Sequence, residues 1–79
     1  MANIKRMRIN EIIAEKKKLT AREKNKLDRY TKKILEGKSV ERITVSEDNI
    51  LQDGYILYLA YLNICKDMTI EVNQTTKNS

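Results

Sequence analysis

The segment Asn49-Ile50-Leu51-Gln52-Asp53-Gly54-Tyr55-Ile56-Leu57-Tyr58-Leu59-Ala60-Tyr61-Leu62-Asn63-Ile64 decides the fold. Ile50-Leu51-Gln52 is a short apolar piece, and Asp53-Gly54 is a strong turn signal. From Tyr55 to Ile64 the chain is apolar on nearly every side. Ten such residues suit a buried helix better than a strand, because Leu57, Leu59, Ala60 and Leu62 are good helix formers. Asp53 would favour the start of this helix, and Cys65-Lys66-Asp67 ends it. Thr69-Ile70-Glu71-Val72 then alternates as a closing strand, and 74–79 is expected to be a disordered tail.

On the other side, Ile43 and Val45 alternate with Arg42 and Thr44, which predicts a strand over 40–45. Ser46-Glu47-Asp48-Asn49 is a polar turn. Residues 39–73 therefore predict a compact β-β-α-β unit, with helix 55–64 lying on a sheet of 40–45, 50–52 and 69–72.

Further upstream, Thr20-Ala21-Arg22-Glu23 reads as a capping box opening a helix. Leu27, Tyr30 and Ile34 repeat at i, i+3, i+7, and Leu35 widens the stripe. Asp28 and Lys32 are a favourable i, i+4 pair, and Lys32 and Lys33 suit the negative end of the helix dipole. Gly37 is a natural residue just past the helix end. Residues 4–18 predict another helix: Ile9, Ile12 and Ile13 share a helical face, while Ile4 to Ile9 does not alternate cleanly. Asn10 or a residue near Asn3 would cap it. The short link Leu19-Thr20 would then fold the two helices into a basic hairpin or arm over 1–38. The expected fold class is α+β, with an N-terminal helical pair before the β-β-α-β unit and one domain overall.

Composition excludes several functions. The chain has 79 residues and no His, Pro, Trp or Phe. A chain this short supports one small core and no deep two-domain cleft. Without His, the commonest general base and metal ligand are missing. Cys65 stands alone, so an internal disulfide or a cysteine zinc site cannot form; it is expected to be a buried, inert thiol. A lone thiol, no apolar N-terminal stretch and no apolar run near ~20 residues point to a soluble cytoplasmic protein without a membrane role. No catalytic residue, cofactor or metal is assigned, and the protein is not expected to be an enzyme.

Charge is unevenly placed. Residues 1–39 carry 13 basic and 5 acidic side chains, whereas 40–79 carry 3 and 6. The formal +5 is thus concentrated before Ser39.

From Val40 onward, three stretches carry a resemblance: Val40-Glu41-Arg42-Ile43-Thr44-Val45, then Asn49-Ile50-Leu51-Gln52-Asp53-Gly54-Tyr55 with its Ala-containing helix, then Thr69-Ile70-Glu71-Val72. They resemble the N-terminal domain of ParB proteins, whose fold is shared with sulfiredoxin, over roughly residues 40–72. The resemblance implies a strand, a turn, a helix and a strand in that order. Nucleotide-binding members of that family place Glu-Arg-Arg or a His-Arg pair directly after the glycine, where they hold phosphate. Here Gly54 is followed by Tyr55, Ile56 and Leu57. Sulfiredoxins carry their catalytic Cys in the same turn, whereas Cys65 lies at the far end of the helix. The resemblance therefore implies the fold without the CTP-binding, nuclease or sulfinic-acid-reducing residues.

Three candidate sites remain. Glu47, Asp48 and Asp53 could offer oxygen ligands to Mg²⁺, but a polar turn and a helix start account for them. Tyr55, Tyr58 and Tyr61 step by about 60° around a helix. They could form an aromatic interface, or they could line the core with hydroxyls at its rim. The basic residues are the main signal. Lys16, Lys17, Lys18, Arg22, Lys24, Lys26, Arg29 and Lys33 are the expected partner-binding set, lying mostly away from the Leu27-Tyr30-Ile34 stripe. Such a face attracts phosphate through counterion release, although an ordinary solvated face has the same composition.

The expected function is a non-catalytic binding protein of a phage or other mobile element, associating with DNA or RNA through its basic helical face. The alternative is a small anti-CRISPR-like inhibitor that binds a nucleic-acid-processing protein such as a CRISPR effector nuclease. Membrane-surface binding is disfavoured because the apolar stripes of the basic helices are narrow. If so small a domain covers helix 55–64 only in part, a homodimer would hide the rest.

Overall fold

The structure is a computed structural model that describes residues 2–75. In chain order it contains β1 (Ala2–Arg8), a 3₁₀ turn (Ile9–Glu11), α1 (Ala21–Leu35), β2 (Ile43–Val45), β3 (Leu51–Asp53), α2 (Tyr55–Ile64) and β4 (Thr69–Thr75). The four strands form one sheet in the order β1-β4-β2-β3. β1 runs antiparallel to β4, β4 parallel to β2, and β2 antiparallel to β3. α2 supplies the crossover that a parallel β2–β4 pair requires.

One face of the sheet carries the core. Register places Met7 opposite Ile70, and Val72 opposite Ile43. Met7, Ile9, Ile12, Ile43, Val45, Leu57 and Val72 form a single buried cluster. α2 lies on this face, with Leu57 in the cluster and Ala60 fully buried. α1 packs on α2, and its half-buried Tyr30 and Ile34 reach the same core. α2 is therefore covered from two sides, which is why its sequence is apolar all round. Within the chain, α1 supplies cover over helix 55–64.

Local rules explain the element ends. Thr20 Oγ1 accepts from the Glu23 N–H at 3.2 Å, and the Thr20 N–H donates to Glu23 Oε1 at 2.9 Å, completing the capping box. Gly37 (φ +75°) follows α1, and Gly54 (φ +92°) precedes α2. Both take a left-handed backbone that glycine adopts without steric penalty. Gly54 also meets β2 closely: a Cβ there would lie 3.3 Å from Ile43 Cα and from Ile43 Cγ1.

The N-terminal helical pair is corrected. Residues 2–8 are an edge strand of the sheet, and no α-helix occupies 4–18. The expected hairpin over 1–38 is thus replaced by a strand, a short turn and one helix. The inward period is Lys5, Met7, Ile9, with Lys5 half buried. Its chain lies along the sheet while Nζ donates to Asn49 Oδ1 at 3.3 Å, as amphipathic side chains at a rim do. That lysine hides the alternation, and Ile4 on the outer face, 56% exposed, gives a false one. Ile9 and Ile12 are buried through the 3₁₀ turn, whereas Ile13 is 60% exposed. Ile13 forms a parallel bridge with Ile50, its N–H donating to Asn49 O and its carbonyl accepting from the Leu51 N–H, both at 2.8 Å.

Smaller corrections concern the second half. The strand expected over 40–45 begins at Ile43, and the one expected over 50–52 occupies Leu51–Asp53. The closing strand continues to Thr75, so Gln74 and Thr75 of the expected tail are in the sheet; 76–79 lie outside the described residues. Cys65 is exposed rather than buried, because α2 ends at Ile64 and the Cys65 backbone is already extended. Asp53 does not cap α2: its Oδ1 accepts from the adjacent Gly54 N–H at 2.9 Å, and the N-cap is Gly54 itself.

Candidate nucleic-acid interface

α1 sorts its side chains by angle. At 100° per residue, Glu23, Leu27, Tyr30, Thr31 and Ile34 fall on one side, and these are the half-buried positions of the helix. Arg22, Lys26, Arg29 and Lys33 recur at i, i+4, i+7 and i+11 on a neighbouring side, all exposed. They form a straight basic stripe about 16 Å long. Lys24 is exposed but lies about 160° around the helix from Lys26, so the structure separates it from the other four. Lys32 flanks the stripe, and Arg29, Lys32, Lys33, Glu36 and Lys38 line a shallow depression at its C-terminal end. There Lys38 Nζ pairs with Glu36 Oε1 at 3.4 Å.

The Lys16-Lys17-Lys18 run lies on the irregular segment leading into α1, all three exposed. Lys17 is tied down: its N–H donates to the Tyr55 hydroxyl at 3.1 Å, and its Nζ lies 5.0 Å from the Tyr55 ring centroid. This tether was not readable from sequence, because the two residues are 38 positions apart. It carries the basic run across the start of α2 towards the start of α1. At that junction the Thr20 N–H, donating to Glu23, holds the Glu23 carboxyl below its ordinary value, with Lys17 and Lys26 adding to the effect.

The tyrosines divide. Tyr55 and Tyr58 have ring centroids 6.3 Å apart at an interplanar angle of 32°, and all three tyrosines of α2 are half buried. Tyr58 and Tyr61 pack against the core. Burial raises the hydroxyl pKa of both, with the nearby Tyr55 adding to the shift at Tyr58. The folded state therefore holds these two protons more tightly than the unfolded chain does. Stability is expected to be unaffected by them below about pH 10, the ordinary tyrosine value, and to fall as pH rises beyond it. Urea midpoints between pH 9 and 11 should show this fall, and Tyr58→Phe with Tyr61→Phe should make it shallower. An equal fall in that double variant would contradict the assignment.

The start of α2 is not a cationic site. A cleft of about 570 Å³ beside it is lined by Ile13, Ile50, Leu51, Gly54 and Tyr55 together with Glu15, Lys17 and Asp53. Its lysine is the one tethered on Tyr55. Asp48 and Ser46 belong to the turn, where Ser46 Oγ accepts from the Asp48 and Ile50 N–H groups at 3.2 Å. Among the described residues no group of three or more acidic or cysteine side chains comes together to hold a metal ion. Nor is any helix among them long and apolar enough to cross a membrane.

No family model matches the chain, and no curated protein matches it. Solved structures do. A Pnob8-like ParB-N domain superposes with a TM-score of 0.75 at 12% identity, covering 100% of this chain and 32% of that one. A second structure of the pNOB8-like ParB N-domain gives 0.66 at 11% identity, covering 100% of this chain and 29% of that one. The fold is thus that of a ParB N-terminal domain, and the chain spans about a third of the length of the structures it matches. The likeness covers the β1 end as well as residues 40–72.

Proposed function

We propose that the chain is a non-catalytic binding module that contacts the phosphate backbone of nucleic acid through the exposed basic side of α1. One observation carries this reading: Arg22, Lys26, Arg29 and Lys33 line up on the side of α1 that takes no part in packing. Lys16 and Lys18 extend the positive surface before the helix. The likeness to ParB N-domains supports a DNA-related or partition-type binding role. In this chain the cations sit on α1 rather than after Gly54, so the contact would use a different part of the fold from the one that the family uses for nucleotide phosphate.

Backbone contact of this kind releases counterions, so affinity must fall steeply with salt. With four to six phosphates neutralised, the slope of log K against log salt is expected between about −3.5 and −5.5 for duplex DNA. Fluorescence anisotropy of a labelled 20-base-pair duplex from 50 to 200 mM salt measures it. No binding at 50 mM salt, or a slope near zero, would contradict the reading.

A further inference from the structure

We infer that Tyr30 is a positioning residue for phosphate: it holds Lys26 and Lys33 around a small seat that Arg29 completes. The inference rests on the nucleic-acid reading of α1 and names the residue that organises that face.

Tyr30 lies where the packed side of α1 meets the basic side. It is half buried and packs against the core, so its ring is fixed. Lys26 Nζ lies 5.7 Å from the ring centroid and Lys33 Nζ 6.0 Å. The two lysines are two turns apart, about 10 Å along the axis, and Tyr30 sits about one turn from each. Left alone, flexible four-carbon chains sample many rotamers, and like charges on one stripe push apart. The negative face of an aromatic ring attracts ammonium groups at these distances and offsets both tendencies.

Lys26, Arg29, Tyr30 and Lys33 together line a depression of about 140 Å³. Small-molecule sites begin at about 300 Å³, so this one suits a single phosphate group and not a whole nucleotide. Base stacking needs an open aromatic face, and here two ammonium groups already engage the Tyr30 ring. The seat therefore favours backbone over base and carries no sequence preference of its own.

The test uses the full chain and the same labelled duplex at 50 mM salt. Tyr30→Phe keeps the ring and is expected to bind within about twofold of wild type. Tyr30→Leu is expected to weaken binding about threefold to tenfold, the scale of one or two exposed cation–π contacts, while the salt slope stays unchanged because no charge is lost. In a Lys26→Gln, Lys33→Gln background the same Tyr30→Leu change should have no further effect. An equal loss in both backgrounds would show a merely structural role and overturn the inference, as would no loss in either. Proton NMR of the wild type gives a readout free of both variants and nucleic acid. The side-chain methylene protons of Lys26 and Lys33 should be shifted upfield by the ring, and random-coil positions would overturn the inference. If the duplex binds but Tyr30 does not matter, only this inference falls. If the duplex does not bind at all, the proposed function falls and takes the inference with it.

Discussion

Replacing Arg22, Lys26, Arg29 and Lys33 together by Gln is expected to weaken duplex binding by about 4,000-fold at 0.1 M salt. Each lost phosphate contact removes about 0.9 from the salt slope, so four contacts remove about 3.6. Running that difference over the one decade from 1 M down to 0.1 M salt gives about 4,000-fold. The fold should survive, because all four side chains are exposed and Gln is a good helix former. Removing like charges at i, i+4 even relieves a small repulsion. Lys24→Gln is the matched control. It changes the net charge by one but lies on another side of α1, and it should cost no more than about one unit of slope. A fourfold variant that binds like wild type, measured by anisotropy with an unchanged circular dichroism spectrum, would contradict the assignment of the interface.

The second large effect concerns stability. Ile43→Ala is expected to cost about 2–5 kcal/mol, the usual range for truncating a fully buried aliphatic side chain. Ile43 is 1% exposed, sits in register with Val72 and lies against Gly54. At about 0.05–0.15 kcal/mol per residue a chain of this length has only ~4–12 kcal/mol in total. The loss is therefore a large share of the fold's stability and should be plain in urea denaturation. Gly54→Ala acts on the same contact from the other side. It places a Cβ 3.3 Å from Ile43 Cα and Cγ1 at a backbone φ of +92°, so a further loss of about 1–2 kcal/mol is expected from strain and crowding. Truncating Ile43 removes Cγ1, so the double variant should lose less than the two single losses combined. Strict additivity would show that the two residues do not meet as described.

What the sequence made legible follows from where local rules were in force. α2 was readable to the residue because it starts at Asp53-Gly54 and is apolar on all sides. α1 was readable because Thr20 and Glu23 form the capping box that their spacing predicts, and Gly37 follows with positive φ. β1 was not, because Lys5 occupies an inward position at the edge of the sheet and its partner, Asn49, lies 44 residues away. The extension of β4 failed for a related reason. Asn73, Gln74 and Thr75 look like a polar tail, yet Gln74 Nε2 donates to Ser46 O at 3.3 Å and Thr75 Oγ1 to Val45 O at 3.4 Å. Polar groups satisfied across strands carry no hydrophobic period, so a pattern-based reading passes over them. The basic stripe and the angle that sets Lys24 apart from it were visible in the spacing of α1, but the tether of Lys17 on Tyr55 depends on packing that spacing does not contain.

The proposed nucleic-acid contact lies on α1 rather than at the turn before α2, and this placement is the central claim. In nucleotide-binding members of the family that the sequence resembles, the grip follows the glycine at the start of the helix, whereas here the cations lie on α1 and the cleft beside Gly54 is lined by Ile13, Ile50, Leu51 and Tyr55 together with Glu15, Lys17 and Asp53. The direct test is a titration of ¹⁵N-labelled protein with a 20-base-pair duplex, followed by amide NMR at low salt. The account predicts that shifts concentrate on residues 16–18 and along 22–33. Shifts concentrated instead on Asp53 to Leu57, with α1 unmoved, would contradict it.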